Sequence, residues 1–222
     1  KLVSPPLEHP GEVTDLQFHP RLPILASCQE RSVRLWDVTS GKQRQKWIHV
    51  AGINVLSYSP EGDYLAAAGN EGSVRIWDWT GKSFDFPHSR PVRSLSFSRD
   101  GNLLAVGTGQ KSILWSTIEP NGAARVWDLK KKIPMSEVFP HDGPVSQVLF
   151  HPDGSHVLTA SGSERGLASL YRGLARSWVI HVPKATSPLA EAPAPEGHLV
   201  KRLSPSEIEV QSKGGQVLAK IT

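Results

Sequence analysis

Four histidines, His9, His49, His88 and His141, each lead toward a downstream tryptophan: Trp36, Trp77, Trp127 and Trp178. Imidazole can ligate a metal, carry a proton, or hold a neighbour by hydrogen bonds. A tetrahedral zinc site needs its ligands within about 2.0–2.3 Å of one ion. Histidines placed 40, 39 and 53 residues apart, one per unit, are dispersed by the repetition and not gathered. No metal and no cofactor is therefore expected. A Ser-His-Asp triad can be drawn from so many hydroxyls, but no Gly-x-Ser-x-Gly elbow and no Gly-rich phosphate loop occurs. Ala160–Ser163 reads as strand-to-loop sequence, and no catalytic residue is expected.

The elements that position these residues repeat. Val33-Arg-Leu-Trp-Asp37 returns as Val74-Arg-Ile-Trp-Asp78 and Ala124-Arg-Val-Trp-Asp128, with a weaker echo at Leu174–Trp178. Trp36 and Trp77 lie 41 residues apart, and a period near 40–45 is that of a four-stranded propeller blade. Short β-branched and aromatic runs, punctuated by Pro, Gly, Asp and Ser, predict an all-β chain. Segment 166–176 could form one helical turn, against which Gly173 weighs. The expected fold is a β-propeller arc of four-stranded antiparallel blades. Four blades are recognisable, about 9–48, 49–87, 88–140 and 141–182, with partial blade strands at both ends.

Further pieces recur in order: Leu16-Gln-Phe-His-Pro20 against Val148-Leu-Phe-His-Pro152, and Ile24-Leu-Ala-Ser27 against Val157-Leu-Thr-Ala160. Over residues 9–181 the chain resembles the WD-repeat (WD40) propellers, in wording closest to bacterial ones. The resemblance implies a hydrogen-bond chain in each blade, from histidine through a hydroxyl to tryptophan, with an acid in the following turn. The first unit supplies His9, Ser27, Glu30 and Trp36. The second supplies His49, Glu71 and Trp77 but has Ala67 for the hydroxyl. The third has His88, Trp127 and Val106. The fourth has His141, Thr159 and Trp178. Asp37, Asp78 and Asp128 complete the structural set. The glycine that usually precedes the histidine is replaced by Glu8, Ile48, Pro87 and Pro140. These departures predict a full network in the first unit at most, with apolar packing carrying the others. His19 and His151, in Phe-His-Pro turns, are expected to be exposed.

A chain of 222 residues with 38% hydrophobic content can bury a sizeable core. Net charge +4 and pI near 9.3 are mildly basic. Lys130-Lys131-Lys132 falls on a turn between the two outer strands, where a solvated surface is the simpler reading than a phosphate patch. Aromatics are not interleaved with basic residues as stacking platforms require, so nucleic acid is not the expected partner. The single Cys28 excludes an internal disulfide and fits a cytoplasmic setting. No apolar run of 18 suggests a membrane span. Residues 1–8 read as the outer strand of a preceding blade, 183–197 as a Pro/Ala-rich loop, and 198–222 as a partial, degenerate blade with Lys213-Gly214-Gly215 at its turn. The chain reads as part of a longer protein, with the remaining blades supplied by its parent. Relatives by resemblance often follow serine/threonine kinase or other signalling domains.

Function should concentrate where the repeat is stretched. The span from the second-strand glycine to the tryptophan is 8 residues at Gly69–Trp77, 20 at Gly107–Trp127 and 16 at Gly162–Trp178. The enlarged connections, 108–121 and 163–172, hold Trp115, Tyr171 and Arg172, types enriched at interaction hot spots. With Arg31 and Glu71 on adjacent short turns they form a candidate partner-binding patch. In the competing reading Ile113–Ile118 only extends a hairpin and packs on its neighbour. The expectation is a protein-interaction scaffold or regulatory module with a protein partner. A nucleic-acid or small-molecule binding propeller is the alternative.

Overall fold

The computed structural model describes residues 6–110, 122–164, 171–180, 198–204, 207–212 and 217–221. They contain strands and turns, and no helix. Two compact units divide the chain, Lys1–Val182 and Pro183–Thr222.

The first unit is a series of antiparallel sheets. Blade 1 orders β1 (Asp15–Phe18), β2 (Ile24–Gln29), β3 (Ser32–Asp37) and β4 (Gln43–Ile48) side by side. Blade 2 repeats this with β5 (Ile53–Tyr58), β6 (Tyr64–Gly69), β7 (Ser73–Asp78) and β8 (Ser83–Pro87). Blade 3 holds β9 (Val92–Phe97), β10 (Leu103–Gly109) and β11 (Gly122–Asp128). Its outer edge is split into β12 (Ile133–Pro134) and β13 (Phe139–His141), both paired with β11. The split is local. Ser136 Oγ takes the Val126 N–H at 3.0 Å, and Met135 N–H reaches the Val126 carbonyl at 2.8 Å. Blade 4 shows β14 (Val145–Phe150), β15 (His156–Glu164) and β16 (Tyr171–Val179). Among the described residues this sheet has three strands. Of segment 166–176, weighed above as a helical turn, residues 171–176 are extended in β16 against β15, and 166–170 lie outside the described residues.

The second unit pairs β17 (His198–Ser204) with β18 (Glu207–Ser212), and β18 with β19 (Val217–Ile221), all antiparallel. The turn proposed at Lys213–Gly215 lies outside the described residues. So do residues 1–5, and 6–8 carry no strand.

The recurring aspartate builds the turn after each tryptophan strand. Asp37 Oδ1 accepts the Thr39 and Ser40 N–H groups, and Asp78 Oδ1 those of Thr80 and Lys82. Such Asx geometry reverses the chain, and the last turn residue then needs φ > 0. Gly41 (φ 69) and Gly81 (φ 83) supply it; Lys132 (φ 58) takes that conformation without glycine's freedom.

The core lies between successive sheets. Ala26, Val33 and Leu35 of blade 1 meet Ile53, Leu56 and Leu65 of blade 2. Val74, Ile76 and Phe86 of blade 2 meet Val92, Leu95 and Leu104 of blade 3. Leu103, Ala105 and Val126 of blade 3 meet Val145, Val148 and Val157 of blade 4. Each central strand is buried on both faces, which is why β2, β6 and β10 read as continuous apolar runs and not as alternation.

Candidate functional site

Strand register makes Ser27, Ala67, Val106 and Thr159 equivalent. Each pairs with the arginine two residues before the blade's tryptophan: Arg34, Arg75, Arg125 and Arg176. Blade 1 contains an unbroken relay. The Trp36 indole donates to Ser27 Oγ at 2.8 Å, and that hydroxyl sits 2.7 Å from His9 Nε2. His9 Nδ1 lies 2.7 Å from the Leu7 carbonyl. The carbonyl can only accept, so Nδ1 carries the proton and Nε2 accepts from the hydroxyl. Every donor finds one acceptor.

The other blades solve the same problem differently. In blade 3, where Val106 has no hydroxyl, Trp127 donates directly to His88 Nε2 at 3.1 Å. Blade 4 keeps the first link, Trp178 to Thr159 Oγ1 at 2.9 Å. His141 is drawn aside, its Nδ1 3.2 Å from Ser161 Oγ, and its Nε2 is buried without a partner. In blade 2, Ala67 leaves His49 Nε2 buried and unpaired as well, while His49 Nδ1 turns to the Ala51 main chain at 3.0 Å. A polar link thus also forms in blades 3 and 4: in blade 4 through Thr159, as the hydroxyl pattern has it, and in blade 3 by a direct tryptophan–histidine bond that the pattern did not indicate.

Burial sets the protonation of these rings. It pushes His88 down to about 4, with the Arg125 charge adding, and His141 also to about 4, with Arg176 adding and Asp142 opposing. His49 is lowered for the same first reason. Neutral imidazoles serve here as acceptors and ring surfaces. Glu30 and Glu71 stand exposed on their β2–β3 and β6–β7 turns, Glu30 with φ 49. Among the described residues no hydrogen bond joins either carboxylate to a histidine.

Three contacts were not foreseen from sequence. The aromatic two residues before each later histidine stacks on the tryptophan of the next blade. Trp47 lies on Trp77 (5.4 Å, 14°), Phe86 on Trp127 (4.4 Å, 10°) and Phe139 on Trp178 (4.6 Å, 14°). The aromatic-x-His spacing was the available signal. Next, arginines reach back across the same joints: Arg75 to the Ile48 carbonyl at 3.2 Å, Arg176 to the Pro140 carbonyl at 3.0 Å. Arg75 also grips Asp85 with two 2.7 Å bonds. Last, His19 is buried, contrary to the exposed position expected for it. It accepts the Arg21 and Leu22 N–H groups at 3.1 Å each and packs against Tyr58 and Trp79 over Gly62, where a side chain would collide with the ring. His151 is exposed and pairs with Asp153.

The described part of the second stretched connection is strand. β15 and β16 stay paired as far as Glu164 opposite Tyr171, and Ser163 opposite Arg172. Tyr171 and Arg172 therefore belong to the extended hairpin, and 165–170 lie outside the described residues. Trp115 lies outside the described residues. Arg31 is exposed, its Nε 3.4 Å from the His49 carbonyl, and the His49 N–H meets the Arg31 carbonyl at 2.8 Å. Likewise the His88 N–H meets the Gly72 carbonyl at 2.6 Å. The histidine turns and the β2–β3 and β6–β7 turns thus share one rim. Among the described residues no cluster of three His, Cys, Asp or Glu could hold a metal, and no helix is long and apolar enough to cross a membrane.

Similar proteins fit this geometry. The chain is 25% identical over 170 residues to the target of rapamycin complex subunit wat1 of Schizosaccharomyces pombe, covering 74% of this chain and 50% of that protein. It is 31% identical over 174 residues to the guanine nucleotide-binding protein subunit beta of Nicotiana tabacum (68% and 42%). It is 29% identical over 138 residues to the small ribosomal subunit protein RACK1y of Oryza sativa (60% and 38%). The chain spans half or less of the length of these relatives. The model of the WD domain, G-beta repeat, matches residues 4–37, 41–78, 82–128 and 133–171. With four such matches laid over four stacked sheets, the chain belongs to the WD domain, G-beta repeat family.

Proposed function

We propose that this chain is a non-catalytic arc of a WD-repeat ring larger than its four repeats, and that it holds protein partners on the rim formed by the histidine turns. The observation that carries the reading is where the recurring polar groups go. His9, His88, Trp36, Trp127 and Trp178 spend their hydrogen bonds inside and between blades. Arg31 and Glu71 stand exposed on that rim, and the two enlarged connections, which carry Trp115, Tyr171 and Arg172 in the sequence, break the repeat's length beside it. The relatives' names, a complex subunit, a G-protein subunit and a ribosomal subunit protein, support assembly with other proteins. A cytoplasmic setting fits the one buried cysteine, Cys28. A bacterial parent with an attached kinase rests on the wording of the repeats alone.

Partner capture at two salt concentrations tests the reading. A protein ligand retained at high salt, and lost with Trp115→Ala at unchanged stability, supports it. Salt-steep binding of duplex DNA with no protein captured overturns it in favour of nucleic acid.

A further inference from the structure

The arginine two residues before each blade's tryptophan is satisfied in three blades and not in the remaining one. Arg34 is buried and donates to Gln29 Oε1 at 3.0 Å. Arg75 meets both carboxylate oxygens of Asp85, which stands opposite it in β8, and also the Ile48 carbonyl. Arg176 reaches the Pro140 carbonyl. Among the described residues no hydrogen bond or ion pair joins the Arg125 guanidinium to an acceptor, and its Nε is buried without a partner.

The broken outer edge of blade 3 accounts for the difference. β13 pairs with β11 as far as Ala124, and β12 pairs with it from Trp127, so Arg125 and Val126 face the break. The Val126 N–H is taken there by Ser136 Oγ. Asp85 stands three residues before His88, whereas Val138, 47% exposed, stands three residues before His141. Glu137 beside it is exposed, and among the described residues no ion pair joins it to Arg125. The neighbouring rings register the missing acid. Asp85 opposes the Arg75 charge at His49, and Asp142 opposes the Arg176 charge at His141, but the Arg125 charge acts on His88 with no acid against it.

The guanidinium is nonetheless positioned. Its Cζ lies 5.6 Å from the centroid of the Trp127 ring, which is itself stacked by Phe86 and bonded to His88. A planar cation resting on an aromatic ring keeps its donors in a fixed fork. Arg125 is half-buried, so part of its side chain remains open to solvent. An unpaired buried donor is costly, and a planar acceptor with two oxygens matches the fork.

We infer that Arg125 is a carboxylate site: an aspartate or glutamate side chain of a protein partner enters at the break between β12 and β13 and takes the place at Arg125 that Asp85 holds at Arg75. A carboxylate is the choice because blade 2 shows its fit at the equivalent position. Arg125 lies on the strand that follows the enlarged connection 108–121 and acts on His88. The inference therefore rests on the protein-partner reading above and names one group of that partner.

The test is a titration of the isotope-labelled full chain with sodium acetate as the probe, read by NMR at the Arg125 Nε–H resonance, which Arg125→Gln identifies by its loss. Acetate is expected to move that resonance downfield and to slow its exchange with water, and sodium chloride at equal ionic strength to do neither. Val138→Asp should reproduce the shift without acetate, abolish the response to acetate and raise the urea midpoint. A resonance that ignores acetate overturns the inference, as does one that responds equally to chloride. A shift on Glu119→Gln or Glu137→Gln without acetate also overturns it, because the chain then supplies its own carboxylate. A partner captured equally well by the Val138→Asp chain overturns the inference and leaves the scaffold reading standing. A chain that binds acetate at Arg125 and captures no protein keeps the carboxylate site and overturns the protein as its source.

Discussion

The Phe86 ring lies 4.4 Å from the Trp127 ring, at 10° between planes, and the two belong to neighbouring blades. Phe86 is 2% exposed and Trp127 5%. The outer strand of blade 2 therefore does more than finish its sheet: it clamps the central tryptophan of blade 3. Phe86→Ala is expected to cost about 3–5 kcal/mol, as buried aromatic truncations do. A double-mutant cycle with Trp127→Leu should return a coupling of about 0.5–1.5 kcal/mol from the ring pair. Additive effects in urea titrations would mean that the stack is mere proximity.

Blade 2 lacks what blade 1 has. Ser27 bridges Trp36 and His9, while Ala67 at the matching position leaves His49 Nε2 buried and unpaired. Ala67→Ser places a hydroxyl where both neighbours can use it. The expected gain is about 1 kcal/mol, the net worth of a buried hydrogen bond, with the orphaned nitrogen relieved. A lowered urea midpoint would show that the extra oxygen overpacks a site that is fully buried.

The ordering of two residues in the same blade separates packing from surface chemistry. Trp77 is 3% exposed and stacked by Trp47, whereas Glu71 is exposed on its turn. Trp77→Ala should destabilise by about 3–5 kcal/mol, and Glu71→Ala by no more than about 0.5 kcal/mol. Equal midpoints for the two variants contradict the assignment.

Stability should fall on mild acidification. His88 and His141 are held at about 4 in the folded chain by burial, against 6.5 when solvated. Between those values the unfolded chain binds protons that the folded chain refuses. The stabilisation is complete above 6.5 and is lost as pH falls toward 4. Asp37, held to about 2 first by its bond to Arg44, acts only below its ordinary 3.8 and leaves this window to the histidines. Urea midpoints at pH 7.5 and pH 5 measure the effect, and His88→Gln should shrink the difference. A flat profile refutes it.

Much of this molecule is legible from spacing. Val33–Asp37, Val74–Asp78 and Ala124–Asp128 are largely buried strands that end in an Asx turn, and both properties are local. Burial of β2, β6 and β10 follows from their apolar runs. What escaped depends on neighbours distant in sequence. The role of Phe86 requires Trp127 to be known as its partner. Burial of His19 requires Gly62 to make room. The direct Trp127–His88 bond requires knowing that Val106 leaves the gap closed by the ring itself. The continuation of β15 and β16 to Glu164 and Tyr171 was hidden because Gly162, Ser163 and Gly173, residue types that usually mark turns, lie within the paired strands.

The central claim is that the recurrent residues hold the blades while the stretched connections meet the partner. Hydrogen–deuterium exchange of the full chain, with and without its captured protein, tests it most directly. The account predicts added protection at 108–121, 163–172 and the turns bearing Arg31 and Glu71, with the Asp37 and Asp78 turns unchanged. Protection confined to those aspartate turns, on the opposite ends of the strands, would contradict it.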